Sequence, residues 1–119
     1  MEKEIKVLSI SNTDGIKIKT IENDLKAMQE FVGGWIEIVP LSHECCLVCN
    51  EEGKIKGLPY NMAVIDTNTG FKDIIMGDFF IASSDDEGEL ASIPEEVLHN
   101  KIYFHAPEHL NNAIELVID

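Results

Sequence analysis

The sequence predicts an α+β fold, a largely antiparallel sheet with one main helix packed on it and short C-terminal helices. Three observations carry this. Short apolar stretches bounded by turn residues recur along the chain. Only one long segment, from Thr20 to Val32, repeats apolar residues at helical spacing. The order runs strands, that helix, more strands, then helical segments at the end. At 119 residues the chain reads as a single domain, 1–119, large enough to bury a core without disulfides or metal.

Each element has its own signal. Ile5–Ile10 reads as a buried strand, and Ser11-Asn12-Thr13-Asp14-Gly15 is dense in turn residues. Ile16-Lys17-Ile18-Lys19 alternates apolar and polar, so a hairpin opens the chain. Thr20 is the expected helix cap, with Ile21, Leu25, Met28 and Val32 on one apolar stripe. Gly33 is the left-handed stop and Gly34 lets the chain turn into a strand at Trp35–Val39. Cys45–Cys49 is the next strand. Asn50-Glu51-Glu52-Gly53 reads as a hairpin turn closed by a glycine, with Lys54-Ile55-Lys56 returning. Ala63–Ile65 is apolar and Asp66–Gly70 is a polar loop. Ile74 to Ala82 reads as one long strand with a bulge or close approach at Gly77. Asp85–Glu89 is an acidic loop, Pro94–His99 a short helix, and a last helix is expected from Pro107 with Leu110, Ile114 and Val117 on one face.

Charge narrows the function. Twenty-two acids against nine bases give a net charge of −13, and every base is a lysine. A surface that binds nucleic acid directly needs clustered cations, and this chain lacks them. Without arginine there is no planar fork for phosphate or carboxylate. No apolar run is long enough to span a bilayer and no targeting segment is visible, so the expected location is cytoplasmic. The acidity serves solubility, or imitates nucleic acid to capture a basic protein.

Three stretches have a familiar order and spacing. They are Gln29-Glu30-Phe31-Val32-Gly33-Gly34-Trp35-Ile36-Glu37, then Asn50-Glu51-Glu52-Gly53-Lys54 with Gly57-Leu58-Pro59-Tyr60-Asn61, then Asp73-Ile74-Ile75-Met76-Gly77-Asp78-Phe79. Together they resemble the domain of unknown function 3846, a family found widely in phage and mobile-element genomes. The resemblance spans Ile5 to about Leu98. Two departures stand out: Met62 sits where relatives usually carry an arginine after the GLPxN asparagine, and residues 101–119 find no match. The resemblance implies a viral or mobile-element setting, in which case the cytoplasm is the host's. It implies no established activity.

The candidate ligand-binding residues are Trp35, Gly57, Leu58, Tyr60 and Asn61. Pro59 breaks the strand ladder, Gly57 permits close approach, Asn61 offers a donor and an acceptor, and two aromatic faces can stack a planar ligand. The alternative is a strand crossover in which Asn61 ties down orphan backbone groups and Trp35 is a core residue. His43, Cys45, Cys46 and Cys49 form H-x-C-C-x-x-C, which lacks the second ligand pair zinc prefers; buried free cysteine is the default. His99, His105 and His109 read as surface or packing residues. Asp85–Glu89 lacks the alternate-ligand spacing of a calcium loop. No nucleophile elbow, phosphate loop or dinucleotide fingerprint occurs, and Glu51 and Glu52 project apart.

The sequence therefore argues against an enzyme, names no catalytic residue, metal ligand or cofactor, and suggests a binding module. Its partner would be a host protein or a small host metabolite such as a signalling nucleotide. The alternative is an acidic inhibitor imitating nucleic acid. An exposed edge strand also makes a homo-oligomer plausible.

Overall fold

The computed structural model describes residues 2–108 and 113–119. These form, in chain order, β1 (Glu4–Ser11), β2 (Gly15–Glu22), α1 (Leu25–Val32), β3 (Ile36–Pro40), β4 (Cys45–Asn50), β5 (Tyr60–Asp66), β6 (Lys72–Met76), β7 (Phe79–Ser84), β8 (Leu90–Ala91), α2 (Glu95–Asn100), β9 (Ile102–His105) and β10 (Glu115–Ile118). The architecture is mostly antiparallel sheet with few helices. The strands divide into two sheets. The first runs β2-β1-β7-β4-β3, with β8 on β7; the second runs β6-β5-β10-β9. Every pairing is antiparallel except β10 with β5.

Side-chain alternation explains the layering. On β1, Leu8 and Ile10 join Leu47, Phe79 and Ile81 in a cluster with Val64, Leu116 and Ile118 of the second sheet. Ile5 and Val7, on the other face, join Val48, Phe80 and Met28 of α1. Phe31 of α1 meets Phe80 edge to face, with ring centroids 5.3 Å apart. The central strands β4 and β7 are covered on both faces, which is why Cys45–Cys49 and Phe79–Ala82 read as unbroken apolar runs.

Several expectations need correction. Helix α1 begins after Asp24, whose carboxylate accepts from the Ala27 N–H at 2.7 Å, and not at Thr20. Thr20 and Ile21 belong to β2, where Ile21 pairs with Ile5 and still packs beneath α1. An apolar residue at that position serves the same cluster from a strand as from a helix. Gly33 ends α1 in the left-handed region as expected. Trp35 is not a core residue but 64% exposed.

Lys54-Ile55-Lys56 is not a returning strand. Residues 51–57 are successive turns. Leu58 N–H donates to Gly53 O at 2.9 Å and Gly57 N–H to Lys54 O at 3.2 Å, the paired bonds that close a helical turn on a left-handed glycine. The long strand through Gly77 is two strands in different sheets, β6 and β7. Gly77 makes the crossing at φ 86°, and a Cβ there would lie 2.7 Å from Leu58 Cδ1. At the C-terminal end, Val117 lies in strand β10, whose four residues are all buried, and not on a helix. A run as short as ELVI, buried on both faces, has no period by which to tell strand from helix. Leu110 and His109 lie outside the described residues.

Candidate functional site

The ends of β3, β4 and β6 are drawn together by the segment after β4. Asn50 is buried at the end of β4. Its Nδ2 donates to Val32 O at 3.1 Å, and its Oδ1 accepts from Glu52 N–H at 2.8 Å. Glu51 N–H donates to Trp35 O at 2.9 Å, fastening the turn beside the residue that leads into β3. On the far side Gly53 packs against β6 so closely that a Cβ would sit 2.7 Å from Met76 O.

This arrangement leaves a hollow of about 260 Å³ between the 51–55 turn, β3 and β6. Glu37, Glu51, Glu52 and Asp73 bring carboxylates to it, and Ile55 and Ile74 supply apolar surface. Its one lysine, Lys54, pairs with Asp73 at 2.5 Å. Nearby Lys56 stands 3.9 Å from Glu52. Both pairs are substantially exposed, so they trim the negative potential without cancelling it.

Cys49 also reaches this hollow, its Sγ 3.9 Å from Glu37 Oε1. Burial, then the charges of Glu37 and Asp73, push the thiol up to about 12, with Lys54 opposing. Burial likewise pushes Cys45 and Cys46 up to about 11. Thiols held protonated in this way are poor nucleophiles and poor metal ligands at neutral pH. Cys45 and Cys49 join the cluster between the sheets while Cys46 packs beneath α1, so the three do not converge. Among the described residues no three His, Cys, Asp or Glu side chains gather as a metal-binding set. The hollow thus sets carboxylates and apolar surface side by side.

The sequence-predicted residues lie around a neighbouring corner. Asn61 Nδ2 donates to Ile10 O at 3.0 Å and to Gly77 O at 2.9 Å, joining β1, β5 and the β6–β7 crossing. Pro59 O accepts from Gly77 N–H at 2.7 Å, and Tyr60 O from Asn12 Nδ2 at 2.9 Å. Asn12 N–H in turn donates to Asp78 Oδ1 at 2.8 Å. Both amide donors of Asn61 are thus committed to the backbone. Tyr60 is 48% exposed. Leu58 lines a second hollow, about 320 Å³, with Glu30, Phe31, Pro59 and Asp78; Trp35, Gly57, Tyr60 and Asn61 line neither hollow.

Glu37, Lys54, Ile55, Asp73 and Ile74 were missed as site residues. A signal existed. Glu37, Asn50–Lys54 and Asp73–Met76 fall in the three stretches that carried the resemblance, and they converge on one hollow. Read singly, each stretch is only a turn or a strand end.

A second buried polar group is structural. Asp66 is fully buried, and its carboxylate accepts from Ser42 N–H at 2.7 Å, Ser42 Oγ at 3.0 Å, Asn68 N–H at 3.0 Å and Thr69 N–H at 3.2 Å. Burial alone raises its pKa. The bonds from Ser42, Thr69 and Asn68 outweigh that and hold it below the ordinary carboxylate range.

Among protein families, the one described as Domain of unknown function (DUF3846) matches residues 5–105. No curated protein and no solved structure matches the chain. Among the described residues no helix is long and apolar enough to cross a membrane.

Proposed function

The chain belongs to the DUF3846 family, and from that premise we propose that it is a non-enzymatic binding module that recognises a basic segment of a partner protein. In the phage or mobile-element setting that the resemblance implies, the partner is a host factor met in the host cytoplasm. One observation carries the reading: the hollow between the 51–55 turn, β3 and β6 holds four carboxylates against a single lysine that is already paired. The excess charge of −13 extends the same preference over the whole chain and would steer a basic partner toward it. The small-metabolite version has less support, because the amide expected to read a planar ligand edge spends both donors on Ile10 and Gly77.

The test is affinity for a lysine-rich peptide and for its neutral counterpart, at low and high salt. The basic peptide is expected to bind tighter, to lose at least tenfold in affinity between 50 and 300 mM salt, and to lose most of its binding to the Glu51→Lys/Glu52→Lys variant. Binding indifferent to salt and to that variant sinks the reading, as does stabilisation by a nucleotide that no basic peptide reproduces. The nucleic-acid-mimic reading draws on the −13 charge alone. It predicts a loss spread evenly over many acidic positions, with no concentration at Glu51 and Glu52.

A further inference from the structure

We propose that Trp35 is the centre of a two-pocket docking surface for an extended segment carrying two basic residues a few positions apart. This deepens the preceding reading and rests on it. The geometry comes from two stretches of chain lying side by side. Gly33 is on the wall of the 320 Å³ hollow and Glu37 on the wall of the 260 Å³ one, with Trp35 midway between them. The segment from Glu51 to Leu58 makes the same passage in reverse, from the smaller hollow to the larger, and is tied to Trp35 through the Glu51 N–H.

Both hollows have the same chemistry. The larger sets Glu30 and Asp78 beside the apolar walls of Phe31, Leu58 and Pro59. The smaller sets its carboxylates beside Ile55 and Ile74. Each is small for a cofactor, yet suits the methylene stem and cationic head of one lysine or arginine. On the ridge between them, Trp35 is 64% exposed, and Ile55 beside the smaller hollow is 85% exposed. Large apolar side chains so exposed gain by being covered, and an indole face also attracts a guanidinium.

Charge complementarity selects the occupant. A second copy of this chain brings another −13, and nucleic acid brings phosphates, so both are repelled. A basic segment is attracted, and Lys54 and Lys56 are already engaged with Asp73 and Glu52. The spacing follows from chain reach. Gly33 and Glu37 are four residues apart, so those two walls are at most about 14 Å from one another. An extended partner covers that in about four residues. Two basic residues three to five positions apart therefore reach both hollows, with the intervening residues over Trp35.

Trp35 is the only tryptophan in the chain, so its fluorescence reports on the ridge directly. Three peptides are titrated into the full chain: two arginines four positions apart, the same two twelve positions apart in a glycine-serine linker, and one arginine alone. The closely spaced peptide is expected to bind at least tenfold tighter than either other and to shift the indole emission. Glu30→Lys and Glu51→Lys should each weaken it several-fold, and Glu87→Lys, an equal charge change on a distant loop, should not. Calorimetry on Trp35→Ala should show a several-fold loss with thermal stability retained. If spacing is immaterial and Glu30→Lys matches Glu87→Lys, the two-pocket surface is overturned and the basic-partner reading stands. If no peptide binds, both fall.

Discussion

Removing the amide of Asn61 separates a structural from a ligand-reading role for this residue. Its Nδ2 bridges Ile10 O and Gly77 O at 3.0 and 2.9 Å in a half-buried corner. A hydrogen bond of this kind contributes about 0.5–1.5 kcal/mol net, so Asn61→Ala is expected to cost about 2 kcal/mol. Unfolding entropy of about 2.1 cal/mol/K per residue, over this chain length, converts that to a fall in Tm of about 8 °C. Asn61→Asp should cost more, because it turns a carboxylate toward two carbonyl oxygens. Chemical denaturation at neutral pH measures both, and an unchanged m value shows that only stability moved. Tyr60→Ala is the internal control. It removes an exposed ring and keeps the carbonyl bonded to Asn12, so it should stay within about 0.5 kcal/mol of the parent. If Asn61→Ala also falls within that margin, the corner is not held as described, and the amide is free for another purpose.

Three further outcomes are expected. Asp66→Asn turns an amide donor toward the Ser42 N–H or toward the donors of Asn68 and Thr69, so it should cost about 2 kcal/mol at pH 7. Because the native pKa of Asp66 is depressed, its stabilisation is present above about pH 4, the unfolded value, and is lost as pH falls through the native one; the gap between parent and variant should narrow in acid denaturation curves below pH 4. Gly53→Ala should destabilise by at least about 2 kcal/mol, since its Cβ would strike the backbone oxygen of Met76 at 2.7 Å, whereas Gly57→Ala meets open space and costs only its left-handed φ, about 1 kcal/mol. The three cysteines, with thiols pushed up to about 11, 11 and 12, should alkylate slowly at pH 8 in the native protein and readily in denaturant; fast native labelling would show that the β4 environment is more open than described.

Local signals made much of the fold legible. The β1–β2 hairpin announced itself through Asp14-Gly15 and alternation, α1 through its stripe and Gly33, and β3 to β5 through apolar runs between turn residues. The second sheet was not legible, because its closing strand β10 pairs with β5 across a long stretch of chain and leaves no turn signature between them. At the GLPYN corner the sequence showed unusual backbone chemistry; it put Asn61 forward as a ligand-binding residue and offered only as the alternative the tying role that its two bonds display. That Glu37, Glu51 and Asp73 meet depends on Gly53 pressing against Met76, which none of the three stretches shows when read singly. Charge could be counted from composition; which acids line which hollow required the folded chain.

The placement of β10 between β5 and β9 has a consequence for biosynthesis. The first sheet draws its strands from residues preceding position 92 and can pair while translation continues. Strand β5 must wait, one edge open and Val64 uncovered, until residues 115–118 emerge to slot in beside it. Pairing that spans so much chain is slow, and an unsatisfied apolar edge invites neighbouring nascent chains in the interval. Truncations that remove β10 should therefore yield aggregates during expression rather than a slightly shorter soluble protein.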